Sequence, residues 1–202
     1  MKRKWIIVVV IAVLISAAGF LRFHHTSPSR RKNYYEGLDE SDSLILEEAL
    51  SYIATCPSYK SAYYEGGYPN DGYGTCVDVV GIALRNSGYD LRMRVDEDIR
   101  SHPERYDIET PDANIDFRRV RNLIVYFQNN EEVLTNDLYE LSAWQAGDIV
   151  IFRNHIGIVS DRRNSNGVPY VIHHSSPYQL WYEEDILEKR DDLVLHVRVN
   201  IS

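Results

Sequence analysis

The chain has 202 residues, of which 44% are hydrophobic and 26% charged, a composition typical of a folded globular protein. Seven of the 22 basic residues and none of the 30 acidic residues precede residue 33, so the rest of the chain carries a net charge of about −15. Because a nucleic-acid partner requires a basic face, this charge argues against nucleic acid as a partner. Two cysteines allow one disulfide but do not make a disulfide scaffold.

The N-terminus predicts a membrane anchor or a signal peptide within residues 1–21. Residues 5–21 form an uncharged apolar run behind three basic residues at positions 2–4. This run is just long enough to cross a hydrocarbon core of about 30 Å as a helix. Small residues at 16–18 would also suit a signal peptidase. We therefore expect a single-pass cell-membrane protein with an extracytoplasmic C-terminal domain, or a protein secreted after signal removal.

Residues 22–40 are polar and lack periodicity, which predicts a linker before a domain at 41–202. In this domain helical patterns precede strand patterns, the order of an α+β domain with N-terminal helices packed on a small antiparallel sheet. Helices are predicted at 41–56, 75–89 and 120–129, with a short one at 95–100 in an otherwise irregular stretch. Strands are predicted at 148–152, 155–160, 168–174 and 193–199, the last closing the sheet.

Cys76 stands where a glycine-rich loop becomes an apolar helical pattern. Thr75 and Asp78 have capping-box spacing, which would make Cys76 the first helical residue and Asp78 a helix cap. The unpaired N–H groups at a helix start lower the pKa of a thiol and can bind the oxyanion of an attacked carbonyl. A reactive thiol, an inert buried cysteine and a Cys56–Cys76 disulfide all remain compatible with this position.

A reactive cysteine needs a base, and histidine is the usual one. His155 opens one predicted strand and His173 lies near the end of the next. If Ser160 pairs with Val168, the antiparallel register places His155 directly opposite His173 on one face of the sheet. His173 would then hold one ring nitrogen of His155 and leave the other for the thiol.

Two other polar residues on predicted strands have structural interpretations. His196 alternates with apolar residues and is interpreted as a packed strand residue. Asp148 stands at a predicted turn before its strand. Neither residue is assigned to the catalytic set.

Six segments together resemble the bacterial domain-of-unknown-function family 1287, which is grouped with the NlpC-type papain-like cysteine peptidases. The segments are YEGG at 64–67, TCVDVV at 75–80, PDANIDFRRVRNL at 111–123, WQAGDIVIF at 144–152, HIGIVSDR at 155–162 and VIHH at 171–174. The resemblance covers roughly residues 41–200. It implies a papain-like α+β fold in which a cysteine at a helix start packs against a small antiparallel sheet.

The resemblance also implies a role for individual residues. Cys76 matches the nucleophile, His155 the base and His173 the orienting third residue. Tyr64 stands twelve residues before Cys76, where NlpC-type enzymes often carry a tyrosine whose hydroxyl helps to bind the oxyanion. A polar network that is buried or lines the cleft is expected from Asp116, Arg118 and Arg119.

The leading expectation is an exported, membrane-tethered thiol hydrolase that cleaves amide bonds in peptidoglycan stem peptides without a cofactor. Hydrolysis and acyl transfer are not distinguished by the sequence. A non-catalytic wall-binding module with the same fold is the main alternative. A zinc site formed by Cys76, His155 and His173 is a further alternative, although the chain has no C-x-x-C or H-E-x-x-H motif.

Overall fold

A computed structural model describes residues 40–201 of the chain. The predicted anchor or signal segment at 1–21 lies outside the described residues, as does the linker apart from its last residue. Within residues 40–201, none of the helices combines the length and the apolar character needed to span a membrane.

Helices and an antiparallel sheet form a mixed α+β domain. The helices are α1 (Glu40–Ala54), α2 (Cys76–Asn86), α3 (Leu91–Ser101) and α4 (Val120–Asn130). The strands are β1 (Ser58–Tyr59), β2 (Tyr73–Gly74), β3 (Glu132–Val133), β4 (Ile149–Phe152), β5 (His155–Arg163), β6 (Pro169–Ile172), β7 (Glu183–Glu184) and β8 (Leu193–Arg198). Strands β3 to β8 form one antiparallel sheet in the order β3-β8-β4-β5-β6-β7, and β1 pairs with β2 in parallel.

Three of the predicted helices are confirmed, and α2 begins at Cys76 as expected. The short helix expected at 95–100 is instead the full helix α3, which begins at Leu91. Its N-cap is Asp90, whose side chain accepts a hydrogen bond from the backbone N–H of Met93 at 3.0 Å. Leu91, Val95 and Ile99 bury one face at a spacing of four residues, and this burial stabilises a helix that is otherwise polar.

The four predicted strands are confirmed, and the sheet also has two edge strands that the sequence pattern did not reveal. Phe152 pairs with His155, so Arg153 and Asn154 form the predicted two-residue turn between β4 and β5. Strand β8 lies inside the sheet, between β3 and β4. The edges are β3 and β7, each two residues long. Such short edges expose few unpaired backbone groups and resist pairing with other chains.

The sheet separates two apolar clusters. On one side the helices contribute buried residues such as Leu46, Val80 and Leu123, which pack with Ile151 and Ile158 of the sheet. A smaller cluster on the other side comprises Trp144, Val150, Phe152, Val159, Val168, Val171 and Leu187. Burial on both sides explains why β4 reads as a continuous apolar run rather than an alternating one.

A buried salt bridge holds the start of α2. Asp78 accepts hydrogen bonds from the backbone N–H of Thr75 at 2.7 Å and from its hydroxyl at 2.9 Å, which confirms the predicted capping pair. Arg118 donates two hydrogen bonds to the same carboxylate, at 3.0 and 2.8 Å, and a third to the carbonyl of Ala62 at 2.6 Å. The side chains of Arg118 and Asp78 are only 4% and 0% exposed. Arg118 therefore ties the helix start to the loop at 57–74.

Replacing Arg118 by Leu leaves the Asp78 carboxylate buried without its cation. We expect the free energy of unfolding to fall by about 3–5 kcal/mol, the usual cost of breaking one buried pair. Urea unfolding followed by circular dichroism measures this change. Arg121→Leu is the matched control, because Arg121 is exposed and lies 3.9 Å from the exposed Asp107. Equal unfolding midpoints for the two variants would contradict the prediction.

Candidate active site

Cys76 is the first residue of α2, and its sulfur lies where that helix meets β5. The backbone N–H groups of Cys76, Val77 and Ile156 favour the thiolate, and Ile156 directly follows His155 in β5. Burial nevertheless raises the pKa of the Cys76 thiol to about 11, and the negative charge of Asp78 acts in the same direction. The N–H groups of the helix start thus lower this pKa as expected, but desolvation outweighs them and the net shift is upward.

Both cysteines are free, so the alternative of a Cys56–Cys76 disulfide is wrong. Cys56 follows α1 with a φ of 53°, an unusual value for a residue other than glycine. Its sulfur lies 3.7 Å from the carbonyl oxygen of Ala54. Cys76 is thus available as a thiol.

The two predicted histidines are in direct contact. Nε2 of His155 lies 2.9 Å from Nδ1 of His173, and the two rings meet edge to face with centroids 4.9 Å apart. Both side chains are buried. Because Nε2 of His155 is engaged by His173, Nδ1 is the nitrogen of His155 that is left to act on a thiol.

The contact is made through a different register from the predicted one. Val159 pairs with Val171 and Ile158 with Ile172, so His173 lies opposite Gly157 rather than opposite His155. A shift of two residues keeps both histidines on the same face of the sheet. The register changes again between Val159 and Arg163, where β5 has an irregularity that the sequence did not reveal.

Gly157 makes this diagonal contact possible. A Cβ at this position would lie 2.4 Å from Cγ1 of Val171, 2.8 Å from the carbonyl oxygen of Ile172 and 3.2 Å from Cβ of His173. Any side chain here would push against β6 and the His173 ring. The glycine therefore leaves the space through which His173 reaches His155.

His155 and Cys76 are both neutral at neutral pH. Burial lowers the pKa of His155 to about 3, and the neighbouring His173 and Arg190 act in the same direction. Since the pKa of Cys76 is about 11, the resting site contains a thiol and an imidazole rather than a thiolate and an imidazolium. Proton transfer between them would therefore accompany attack on a substrate.

The predicted oxyanion residue, Tyr64, already has a partner. Its hydroxyl donates to a carboxylate oxygen of Asp71 at 3.0 Å, and its ring faces the guanidinium of Arg118 at 5.1 Å. The position of Tyr64 does not test its predicted role, which stays a prediction.

A second tyrosine lies near the sulfur. Burial, followed by the charge of the Cys76 thiolate, raises the pKa of Tyr59. Strand β1 pairs Tyr59 with Gly74, two residues before Cys76, and the ring packs edge-on against His174 with centroids 5.2 Å apart. The sequence did not predict that Tyr59 lies near Cys76, because Tyr59 is one of several tyrosines in a segment interpreted as a loop.

Two residues beyond the predicted set contact His173. A carboxylate oxygen of Glu184 lies 3.2 Å from Nε2 of His173. The side-chain amide nitrogen of Gln179 lies 3.4 Å from the same ring nitrogen and 3.1 Å from the Glu184 carboxylate. Neither position could be found from the sequence, because β7 is too short to show a strand pattern.

Other polar residues of the motifs lie in structural clusters. Nε2 of His196 donates to the Asp148 carboxylate at 2.9 Å, and its ring stacks on Trp144 at 3.8 Å. His196 is fully buried, as expected for a packed strand residue. Asp116 is buried, and its carboxylate accepts from the N–H of Asp112 at 2.6 Å. Arg119 is exposed, and its part in the expected polar network stays a prediction.

A zinc site would need at least three ligand side chains close together within residues 40–201. Within that part of the chain, no three His, Cys, Asp or Glu side chains are arranged to hold a metal ion.

Comparison with known proteins places the chain in a family. Residues 46–198 match the family described as Domain of unknown function (DUF1287). The chain is also 38% identical over 140 residues to the Uncharacterized protein YijF of Escherichia coli (strain K12), an alignment that covers 65% of this chain and 67% of that protein. No solved structure matches the chain. The match over most of its length shows that the chain belongs to the DUF1287 family, as its motifs predicted.

Proposed function

We propose that the protein is an exported thiol hydrolase of the NlpC-type papain-like superfamily that cleaves amide bonds in peptidoglycan stem peptides. The observation that supports this proposal most is the buried contact of 2.9 Å between His155 and His173. The N–H of Ile156, the residue after His155, faces the sulfur of Cys76 at the start of α2. A nucleophile, a base and an orienting residue on three separate elements are the parts that a cysteine hydrolase requires.

The chemistry follows from the neutral site. As the sulfur of Cys76 attacks the amide carbonyl, Nδ1 of His155 takes the thiol proton and a tetrahedral intermediate forms. His155 then gives this proton to the amine nitrogen, the C–N bond breaks, and the amine leaves the acyl group on the sulfur as a thioester. In the second half-reaction His155 takes a proton from water, the hydroxide attacks the thioester, and the proton returns to the sulfur. The N–H groups of Cys76, Val77 and Ile156 are positioned to stabilise negative charge near the sulfur.

The substrate and the location are inferred together. The family motifs resemble enzymes of the cell wall, and residues 5–21 would anchor the domain outside the membrane, or direct its secretion, where stem peptides are accessible. The strongly acidic domain is unsuited to nucleic acid. Peptidoglycan stem peptides are therefore the proposed partners.

A non-catalytic wall-binding module is the second candidate. The raised pKa of Cys76, about 11, favours this candidate, because a binding module has no need of an activated thiol. The two functions differ in whether covalent chemistry occurs at Cys76.

Substitution of the proposed nucleophile and base distinguishes the two candidates. We expect Cys76→Ala to abolish product formation from isolated muropeptides, measured by mass spectrometry. His155→Ala should lower the rate by about 10²–10⁴-fold, the usual contribution of a general base. Cys56→Ser is the control and should retain wild-type activity, because Cys56 belongs to no part of the proposed mechanism. Full activity of Cys76→Ala would refute the hydrolase mechanism.

The protonation state of the resting thiol can be measured without a substrate. In a Cys56→Ser background Cys76 is the single thiol of the chain. Because its pKa is raised to about 11, the thiolate fraction should increase about tenfold per pH unit between pH 7 and 9. The iodoacetamide alkylation rate should follow this slope. A rate that is already constant below pH 8 would instead indicate a thiolate paired with protonated His155.

A pair of substitutions assigns the oxyanion donor. The resemblance assigns Tyr64, whereas the contacts of Tyr59 with the site and the engagement of Tyr64 by Asp71 favour Tyr59. We expect Tyr59→Phe to lower kcat by about 100-fold, since it removes one donor to the developing charge, and Tyr64→Phe to have the smaller effect. A larger loss for Tyr64→Phe would return the assignment to Tyr64.

A further inference from the structure

The contact between His155 and His173 continues to a third side chain, Glu184. Nδ1 of His173 faces Nε2 of His155 at 2.9 Å, and Nε2 of His173 faces a carboxylate oxygen of Glu184 at 3.2 Å. The backbone holds both neighbours in place: Glu184 pairs with Val171 across β6 and β7, and the N–H of His173 donates to the carbonyl of Tyr182 at 2.8 Å.

The chemistry of these groups determines which nitrogen carries each proton. An ionised carboxylate only accepts hydrogen bonds, while a neutral imidazole has one donor nitrogen and one acceptor nitrogen. Contact with Glu184 therefore places the His173 proton on Nε2 and leaves Nδ1 as an acceptor. His155 must then donate from its own Nε2, so that its Nδ1 carries a lone pair. Only this tautomer of His155 can accept a proton from a thiol.

Gln179 favours the opposite arrangement. Its side-chain oxygen accepts from the N–H and the hydroxyl of Ser175, at 2.5 and 3.1 Å. Its NH₂ group faces Glu184 at 3.1 Å and the carbonyl oxygens of Trp181 and His173 at 2.7 and 3.2 Å. If this NH₂ donated to Nε2 of His173, at 3.4 Å, both imidazoles would take the reverse tautomer and Nδ1 of His155 would be protonated. A charged acceptor forms the stronger hydrogen bond, so Glu184 prevails over Gln179.

We propose that Glu184 is a positioning residue that sets the tautomers of His173 and His155 and so makes His155 the base. The effect of Glu184 on catalysis rests on the proposed function, whereas its effect on the ring tautomers does not. When His155 is protonated during the reaction, the chain leads from its Nε2–H through His173 to the negative charge of Glu184. Glu184 is itself 34% exposed, so its removal should not unfold the domain.

The tautomers can be read directly from the ¹⁵N chemical shifts of the two rings in long-range ¹H–¹⁵N spectra of the full chain. In the wild type at pH 7 we expect protonated Nε2 on both His155 and His173. In Glu184→Ala the Nε2–H of His173 loses its charged acceptor, while the NH₂ of Gln179 remains as a donor 3.4 Å from the same nitrogen. Both ring protons should then move to Nδ1. Gln179→Ala is the matched control and should keep the wild-type pattern.

Kinetic measurements with muropeptides as the substrate test the effect of Glu184 on catalysis. Glu184→Ala should lower kcat by about tenfold to 100-fold with little change in KM, the range that one charge-assisted hydrogen bond supplies. In a His173→Ala background the same substitution should cause no further loss, because Glu184 acts through His173.

The tautomer measurement and the kinetic measurement test different claims. Unchanged ring tautomers in Glu184→Ala, or Nδ1-protonated rings in the wild type, would overturn the role of Glu184. Absence of turnover in the wild type, with the expected ring tautomers, would instead count against the proposed hydrolase and leave the tautomer assignment supported.

Discussion

The buried pair of Asp78 and Arg118 is the interaction on which the candidate site depends. Asp78 caps α2 through Thr75, and Arg118 joins this cap to the carbonyl of Ala62 in the preceding loop. A buried ion pair contributes little net stability, since desolvation offsets most of the Coulomb attraction. Its effect here is geometric: it ties the first turn of α2, which carries Cys76, to the preceding loop. Sequence motifs that are 40 residues apart thereby act as one unit.

Burial of Cys76 and His155 orders the two side chains but makes each of them less reactive in the resting state. It holds Cys76 and His155 in place and excludes water, but it also disfavours their charged forms, raising one pKa and lowering the other. The resting site is therefore a neutral pair. Negative charge that develops on a substrate oxygen would meet N–H groups that are already oriented, at no cost of reorganisation. This arrangement suits a site that becomes active only when a substrate is bound.

The two histidines can meet in the sheet because Gly157, which lies opposite His173, has no side chain. Gly157 lies between the two rings along β5 and opposite His173, so the diagonal contact replaces the direct pairing that a simple hairpin register would produce. On the far side of His173, the two-residue strand β7 brings Glu184 to the second nitrogen of the ring. The residues from sulfur to carboxylate thus belong to α2, to β5, to the end of β6 and to β7, so a helix from the first half of the chain meets three consecutive strands from the second half.

Local patterns in the sequence determined the start of α2 at Cys76, its capping pair, the β4–β5 turn and the placement of both histidines on one face, because each depends on neighbours a few residues away. The α+β order and the family motifs followed from the same patterns. Only the tertiary structure decided the register of β5 and β6, the partner of Arg118, the free state of both cysteines and the approach of Tyr59 and Glu184. These features depend on a strand irregularity, on burial and on contacts between distant segments, which no local spacing encodes.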